Sequence, residues 1–592
     1  MVPVEATDSD EIQEEAKRQD VDPEALSKTL TEQSHVVRPQ SLPKEILFIS
    51  VVCGAQFMTQ AGLALSIAPL HIIGASFGTT SENDLSWCSA AYSLTIGTFI
   101  LVAGRLGDLY GHKLMFIIGF GWFSLWSLIA GFSVWSNQIF FDCCRALQGI
   151  GPALLLPNAV AIFGRSYEPG PRKDMVFSLF GATAPGGFVV GSTFSSIFAQ
   201  LVWWPWAYWV MAIACFCFAV LGVLVIPKTP SPKFTDGLST FTRLDILGAS
   251  AGISALVLIN FAWNQGPVVG WQVPYNYVLL IVGFLFLTIF LVIERKATCP
   301  LLPWSVFTGD VGWVLGCIAA GWSSFGTAIF YFYQFMEVIK GDTGLLVSAK
   351  WAPAAISGAI AAVTTGFLLS RVPPSVIMFA AMCAFTTGLA LLATLPPDQI
   401  YWAQAFVMSI VICWGMDMSF PSGTVILSNS MHHQHQGLAG SLVNTVVNYS
   451  ISIGLGFAGT VESQVNDGGR NPLRGLRGAS YMGLGFAGLG LLLSRISSPL
   501  SIGSPRNDSI DRILIGIILL HVLHVIMMDE NFPDGILLKK HIGRVIHVES
   551  IQYQIERVIA EKYDRDLVQR VALFEARKFD TQEIAVLKLR FQ

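Results

Sequence analysis

This sequence predicts an all-α multi-pass membrane protein. Only 13% of its 592 residues are charged, while 53% are hydrophobic; a soluble chain carries about 25% charged residues. Mean hydropathy is +0.57. The apolar residues fall into long runs with few charges, each about 20 residues, enough to cross ~30 Å of hydrocarbon as a helix. A net charge of −4 offers no basic surface for nucleic acid. The ten cysteines sit mostly in apolar runs, without a C-x-x-C pair, and read as small packing residues.

Residues 1–43 are polar and rich in early acids (Glu11, Glu14, Glu15, Asp20, Asp22, Glu24). They lack the basic segment and short apolar core of a signal peptide, so a disordered cytosolic tail is expected. Apolar runs follow at 45–75, 84–104, 113–132, 138–164, 175–201, 205–227, 244–263 and 275–293. They continue at 310–336, 345–370, 374–395, 401–428, 437–461 and 478–496, fourteen in all. Residues 497–592 differ in character: Ile513–Met528 is too short to span and contains His521 and His524, and 550–592 has the mixed spacing of an amphipathic helix. That segment is expected to be a cytosolic extension, and the sequence assigns it no role.

Lysine and arginine in alternate short loops set the orientation. Arg105 and Lys113, Arg165 with Arg172 and Lys173, Lys228 with Lys233 and Arg243, Arg295 with Lys296, and Arg371 all fall on one side. That side is expected to be the cytosol, with both termini on it. The opposite loops carry Glu82, Asp84, Glu337, Asp342 and Asp398, although Arg470, Arg474 and Arg477 run against the trend.

Three motifs carry chemistry. After the second run the chain reads Gly104-Arg105-Leu-Gly-Asp108-Leu-Tyr-Gly111-His-Lys113. Glycines permit a tight turn there, and Asp108 beside the start of the next helix suits its dipole and its free N–H groups. In the fourth run, Arg145-Ala-Leu-Gln148-Gly-Ile-Gly-Pro places an arginine about two turns inside the membrane. Such a charge needs a partner or water, and Asp142 lies three residues earlier on the same face. Nearby Asn158 reads as a packing hydrogen bond. In the fifth run, Gly181, Pro185, Gly187 and Gly191 let helix backbones approach closely, with Pro185 able to bend the helix.

In this order the three motifs resemble those of the major facilitator superfamily. The first resembles G-x-L-a-D-r-x-G-r-k, with Leu109 and His112 where arginines are common; the second resembles R-x-x-q-G-x-g. The third resembles the antiporter motif g-x-x-x-G-P-x-x-G-G, but Ser192 stands for its proline and Ser195-Ser196 for its glycine pair. Over residues 40–496 the chain is similar to the 14-span drug:proton antiporter branch, and to fungal aminotriazole-resistance, boron-exporter and low-affinity ammonium-transporter proteins. The stretches RALQGIGPALLLPNAVAIFGR, WGMDMSFPSG and SLVNTVVNYSISIGLG carry that likeness. The resemblance implies two six-helix bundles, 44–227 and 301–496, with two further helices in 228–300 between them.

Membrane-depth acids are scarce. The first run holds Gln56 and Gln60 but no carboxylate, which leaves Asp417 in the twelfth run as the clearest acid for a proton or substrate. Trp414 is a candidate to stack on substrate or to fill volume. Asn444 and Asn448, four apart, share a face that could line the path or bond between helices. His432, His433 and His435 lack nearby cysteine or carboxylate ligands, so no metal is expected. No G-x-x-x-x-G-K-[ST] occurs, against an ATP-driven pump, and no cofactor is implied. The expectation is a monomeric secondary transporter, not an enzyme, that exports a small molecule or drug by proton antiport. The membrane would be the cell membrane or the vacuolar one. Uptake of a solute such as ammonium, or a non-transporting nutrient sensor, are the alternatives.

Overall fold

The computed structural model describes residues 41–79, 81–167, 171–227, 239–302, 309–430 and 436–496. The expectations for residues 1–40, for the histidines at 432–435 and for 497–592 lie outside the described residues. Among the described residues, fourteen helical stretches are long and apolar enough to cross a membrane. The first six are α1 (Leu42–Ile67), α2 (Glu82–Tyr110), α3 (His112–Phe132), α4 (Gln138–Ser166), α5 (Pro171–Ile197) and α6 (Pro205–Val225). Two more follow, α7 (Ile246–Val269) and α8 (Pro274–Glu294). The last six are α9 (Gly309–Gln334), α10 (Pro353–Leu369), α11 (Pro374–Ala393), α12 (Ala405–Ser430), α13 (Gln436–Val465) and α14 (Pro472–Ile496).

Prolines open several of these helices. Pro205, Pro274, Pro353 and Pro374 stand at a first helical position, where the missing N–H has no intrahelical acceptor to lose. Pro353 also divides one span, because the short helix Gly344–Trp351 precedes α10 within the continuous apolar stretch Gly344–Leu369.

Three boundaries differ from the sequence reading. The first run is two helices: α1 stops at Ile67, and a short helix, Leu70–Phe77, ends on Gly78 with φ of +75°. The loop expected after the second run is largely helix, since α2 continues to Tyr110 and the chain reverses at Gly111 alone, with φ of +99°. Hydropathy marked the loss of apolar residues, not the end of the backbone ladder. Likewise α14 begins at Pro472, so Arg474 and Arg477 lie in its first turns, not in a loop.

Within the first bundle α1 packs on α5, α2 and α3 on α4, and α3 on α6; within the second, α9 packs on α13 and α14, α11 on α12 and α14, and α10 on α12. The bundles meet along two seams, α2 against α13 and α5 against α10. Helix α7 lies against α8, α13 and α2, and so borders one seam. Close approach at that seam depends on Gly97, where a Cβ would stand 2.5 Å from the backbone nitrogen of Tyr449. In α8 only 11% of the apolar stretch is buried, the face a lipid-covered helix presents.

Candidate functional site

Arg145 is fully buried at 0% exposure. Its Nε donates to Cys88 O at 2.9 Å, one terminal nitrogen to Gly62 O at 2.9 Å and Ser66 Oγ at 3.2 Å, and the other to Gln148 Oε1. Gln148 Nε2 then reaches Ser127 Oγ at 2.6 Å, and the Tyr92 ring centroid lies 4.5 Å from the guanidinium carbon. One cation thus ties α1, α2, α3 and α4 together. The expected Asp142 partner is not part of this set. The guanidinium runs towards α1 and α2, where oriented carbonyl dipoles and a ring face balance its charge, while Asp142 Oδ1 is buried without a hydrogen-bond partner. Helical spacing put the two on one face but did not fix where their ends point.

The Gly104–Lys113 segment is built differently from the expected turn. Asp108 does not cap α3, whose start has no side-chain cap. Its carboxylate, half-exposed, stands 3.5 Å from His112 Nε2 and 3.7 Å from Arg165. Lys113 donates to the terminal carbonyls of α6 at Val223 (2.8 Å) and Ile226, and Arg105 Nε donates to Arg243 O at 2.9 Å, just before α7. His112 Nδ1 lies 2.8 Å from Asn158 Oδ1, so Asn158 does serve as a packing bond. The glycine that this contact requires is Gly107, not Gly104. A Cβ on Gly107 would fall 1.9 Å from Asn158 Oδ1, whereas the nearest atom to one on Gly104 is Ser441 Oγ of α13 at 3.2 Å.

On α5 the four motif residues divide. Gly187 and Gly191 hold α5 against α1, with Cβ positions 2.3 Å from Phe57 O and 2.5 Å from Ala61 Cα. Gly181 has nothing within 4 Å and serves no helix contact. Pro185 faces the other way, onto Gly358 of α10, where Asp417 of α12 also arrives. Asp417 is 6% exposed and its Oδ2 has no hydrogen-bond partner. Helices of both bundles therefore converge on the twelfth-helix carboxylate. Among the described residues, none of the hydrogen bonds joins Asp417 to Gln60, Trp414, Asn444 or Asn448. Asn444 and Asn448 donate back to their own helix, to Gly440 O at 2.9 Å and Asn444 O at 3.0 Å. Gln60 and Trp414 are half-buried.

At the end of the molecule that holds Gly78, the two bundles are closed over each other by polar contacts. His71 Nε2 lies 2.9 Å from Gln334 Oε1 and 3.6 Å from Glu337 Oε2, and Ser196 Oγ lies 3.2 Å from Ser348 Oγ. With its amide oxygen turned to the backbone, Gln200 accepts from Gly344 N at 2.9 Å and Leu345 N at 3.0 Å. The sequence reading gave His71, Gln200, Gln334 and Ser348 no role. Glu337 looked like a loop acid, but it lies in a wide helical turn, Phe335–Ile339, and is largely buried. His71 was a legible signal, an ionisable group within an apolar run.

The Major Facilitator Superfamily family model matches residues 50–455. The low affinity ammonium transporter of Saccharomyces cerevisiae is 64% identical over 458 residues, 77% of this chain and 89% of that protein. An efflux pump of Aspergillus terreus, terJ, is 50% identical over 79% of this chain and 91% of its own length. The aminotriazole resistance protein of S. cerevisiae is 39% identical over 76% of this chain and 83% of its own.

Proposed function

The chain belongs to the major facilitator superfamily, a family of membrane transporters, and on that premise we propose that it exports a small solute by exchanging it for protons. The observation that carries this reading is Asp417. A carboxylate at membrane depth with one oxygen unpartnered is costly to hold charged, and it sits where both bundles can bear on it. Loading it with a proton in one arrangement of the halves and emptying it in the other is the coupling step that antiport needs. Asp108, Arg105 and Lys113 then act at the Gly111 end as gate residues. The concentration of lysine and arginine there supports a cytosolic location for that end and for both termini. The working divisions are 44–227 and 301–496 for the moving halves and 228–300 for the linking pair, in a monomer of the cell membrane, with the vacuolar membrane as the other location.

A second reading is uptake of ammonium. It is favoured by the 64% identity to a protein named as a low affinity ammonium transporter, and by the serines that replace proline and glycine in the antiporter-like motif. Flux in proteoliposomes across an imposed pH gradient, with aminotriazole, borate and ammonium as probes, separates the two. Antiport predicts accumulation of a probe on the acidic side. Accumulation of ammonium in the opposite direction, or flux indifferent to the gradient, would overturn it.

A further inference from the structure

Of the two helices between the bundles, α8 is mostly lipid-covered. Helix α7 is not. Asn260, Asn264 and Ser452 are 0%, 1% and 0% exposed at the point where α7, α13 and α2 meet. The Ser452 hydroxyl lies 2.9 Å from Ala90 O on α2 and 2.8 Å from Asn260 Oδ1 on α7. A hydroxyl has one proton to donate, so these two acceptors, on helices of different allegiance, compete for it. Asn264 Nδ2 bonds Asn260 Oδ1 at 2.8 Å and Ser452 O at 3.2 Å, which holds the asparagine oxygen in place facing the serine.

Allegiance follows from the other contacts of α7. It is fastened to α13 by Tyr449 Oη donating to Leu256 O at 3.1 Å and by the Asn264 bond, and just past its end Trp271 Nε1 donates to Thr460 Oγ1 at 3.4 Å. Gly456 lets the backbones touch there, since its Cβ would fall 2.8 Å from Trp263 O. Against α2 the middle of α7 offers a ring contact, Trp87 on Phe261 at 5.1 Å. We infer that α7 travels with the second bundle and that Asn260 is the spare acceptor that receives the Ser452 hydroxyl when Ala90 withdraws on α2. The hydroxyl then never faces an unpaired state, which lowers the cost of parting the α2–α13 seam. The amide has a cost of its own that a spacer would avoid: Asn260 Nδ2 is buried without a partner, and a leucine would fill the same volume without that orphan. Helix α7 is thus a working part of the alternation.

This inference rests on family membership alone, because it needs two moving halves but neither a particular solute nor proton coupling. Its test is therefore conformational. Spin labels on genetically encoded ketones at exposed positions 135 and 400, one on each bundle, report the distance across the Gly78 end in nanodiscs. Asn260→Leu removes the spare acceptor and should raise the ratio of closed to open populations about fivefold, the scale of one hydrogen bond. Ser452→Ala removes the donor from both arrangements alike, so the ratio should stay near that of wild type. The double variant should match Ser452→Ala, since without the hydroxyl the acceptor has nothing to receive. If leucine is not accommodated, Asn260→Ala supplies the same arm. Wild-type distances in the folded Asn260 variants, or a double variant that keeps the full Asn260→Leu shift, would overturn the inference. Loss of solute flux with unchanged distances would count against the transport reading and not in favour of this one.

Discussion

Asp417 Oδ2 lies 2.7 Å from the point that a Cβ on Gly358 would occupy. The same point is 2.5 Å from Pro185 Cγ, so the hydrogen of one glycine on α10 makes the space in which a carboxylate from α12 and a proline from α5 meet. This is where the α5–α10 seam between the bundles passes the membrane-depth acid. A packing feature and a candidate coupling group are therefore one structure.

Gly358→Ala should be far more damaging than its size suggests. The methyl group has backbone-anchored neighbours on one side and a buried carboxylate on the other, and neither is a flexible side-chain end that can swing away. Transport is expected to fall at least about tenfold, with the thermal midpoint of detergent-purified protein lowered by several degrees. Gly181→Ala, at a position with nothing within 4 Å, should be neutral in both assays.

Arg145 tests the replacement of an ion pair by dipoles. Its donors are divided between the carbonyls of Gly62 and Cys88 and the side chains of Ser66 and Gln148. A lysine ammonium cannot span them, because the guanidinium fork is what reaches α1 and α2 together. Arg145→Lys should cost about 3 kcal/mol or more in stability, close to the cost of Arg145→Ala. Since Asp142 shares no hydrogen bond with it, Asp142→Asn should leave transport within about twofold. Denaturation monitored by tryptophan fluorescence, alongside flux, checks both. A severe Asp142→Asn defect with full Arg145→Lys activity would reverse the assignment.

The contrast between these residues explains what could be read from the chain. Hydrophobic run length is a strong, local signal, so fourteen spans and their order were legible, as was the burial of Arg145 and Asp417. Helix ends were not, because α2 stays helical through the charged residues Arg105 and Asp108 and stops only where Gly111 supplies a positive φ. Side-chain direction was also hidden: periodicity set Asp142 beside Arg145, but the partners of the arginine come from helices 57 and 83 residues away in sequence. Gly107 and Gly358 were missed for the same reason. A glycine required by a distant side chain has no local pattern to mark it.

Asp108→Asn should separate gating from stability. The carboxylate is half-exposed and its neighbours His112 and Arg165 are 3.5 and 3.7 Å away, so its loss should change stability by under ~1 kcal/mol. If the Gly111 end must hold and release this contact in each cycle, turnover should nevertheless fall about tenfold, with surface expression unchanged. Arg165→Gln, which removes one of the same pair, should produce a similar kinetic defect. Normal turnover in both variants would remove the contact from the gate.

Asp417→Asn addresses coupling directly. The amide is nearly isosteric with the acid, so the space left by Gly358 and Pro185 still fits it, and it cannot ionise. A carrier that loads and empties a proton at this residue loses the pH-driven step but keeps the solute site and the rocking of its halves. Exchange of labelled for unlabelled solute between equal pools should therefore survive, while accumulation against a gradient, and the dependence of rate on pH, should vanish. A plain structural carboxylate predicts the opposite pattern, with exchange and accumulation falling together as the protein destabilises. Proteoliposomes that retain full pH-driven accumulation with Asp417→Asn would assign the proton elsewhere. The largely buried Glu337, facing His71 across the closed Gly78 end, is the next acid to substitute.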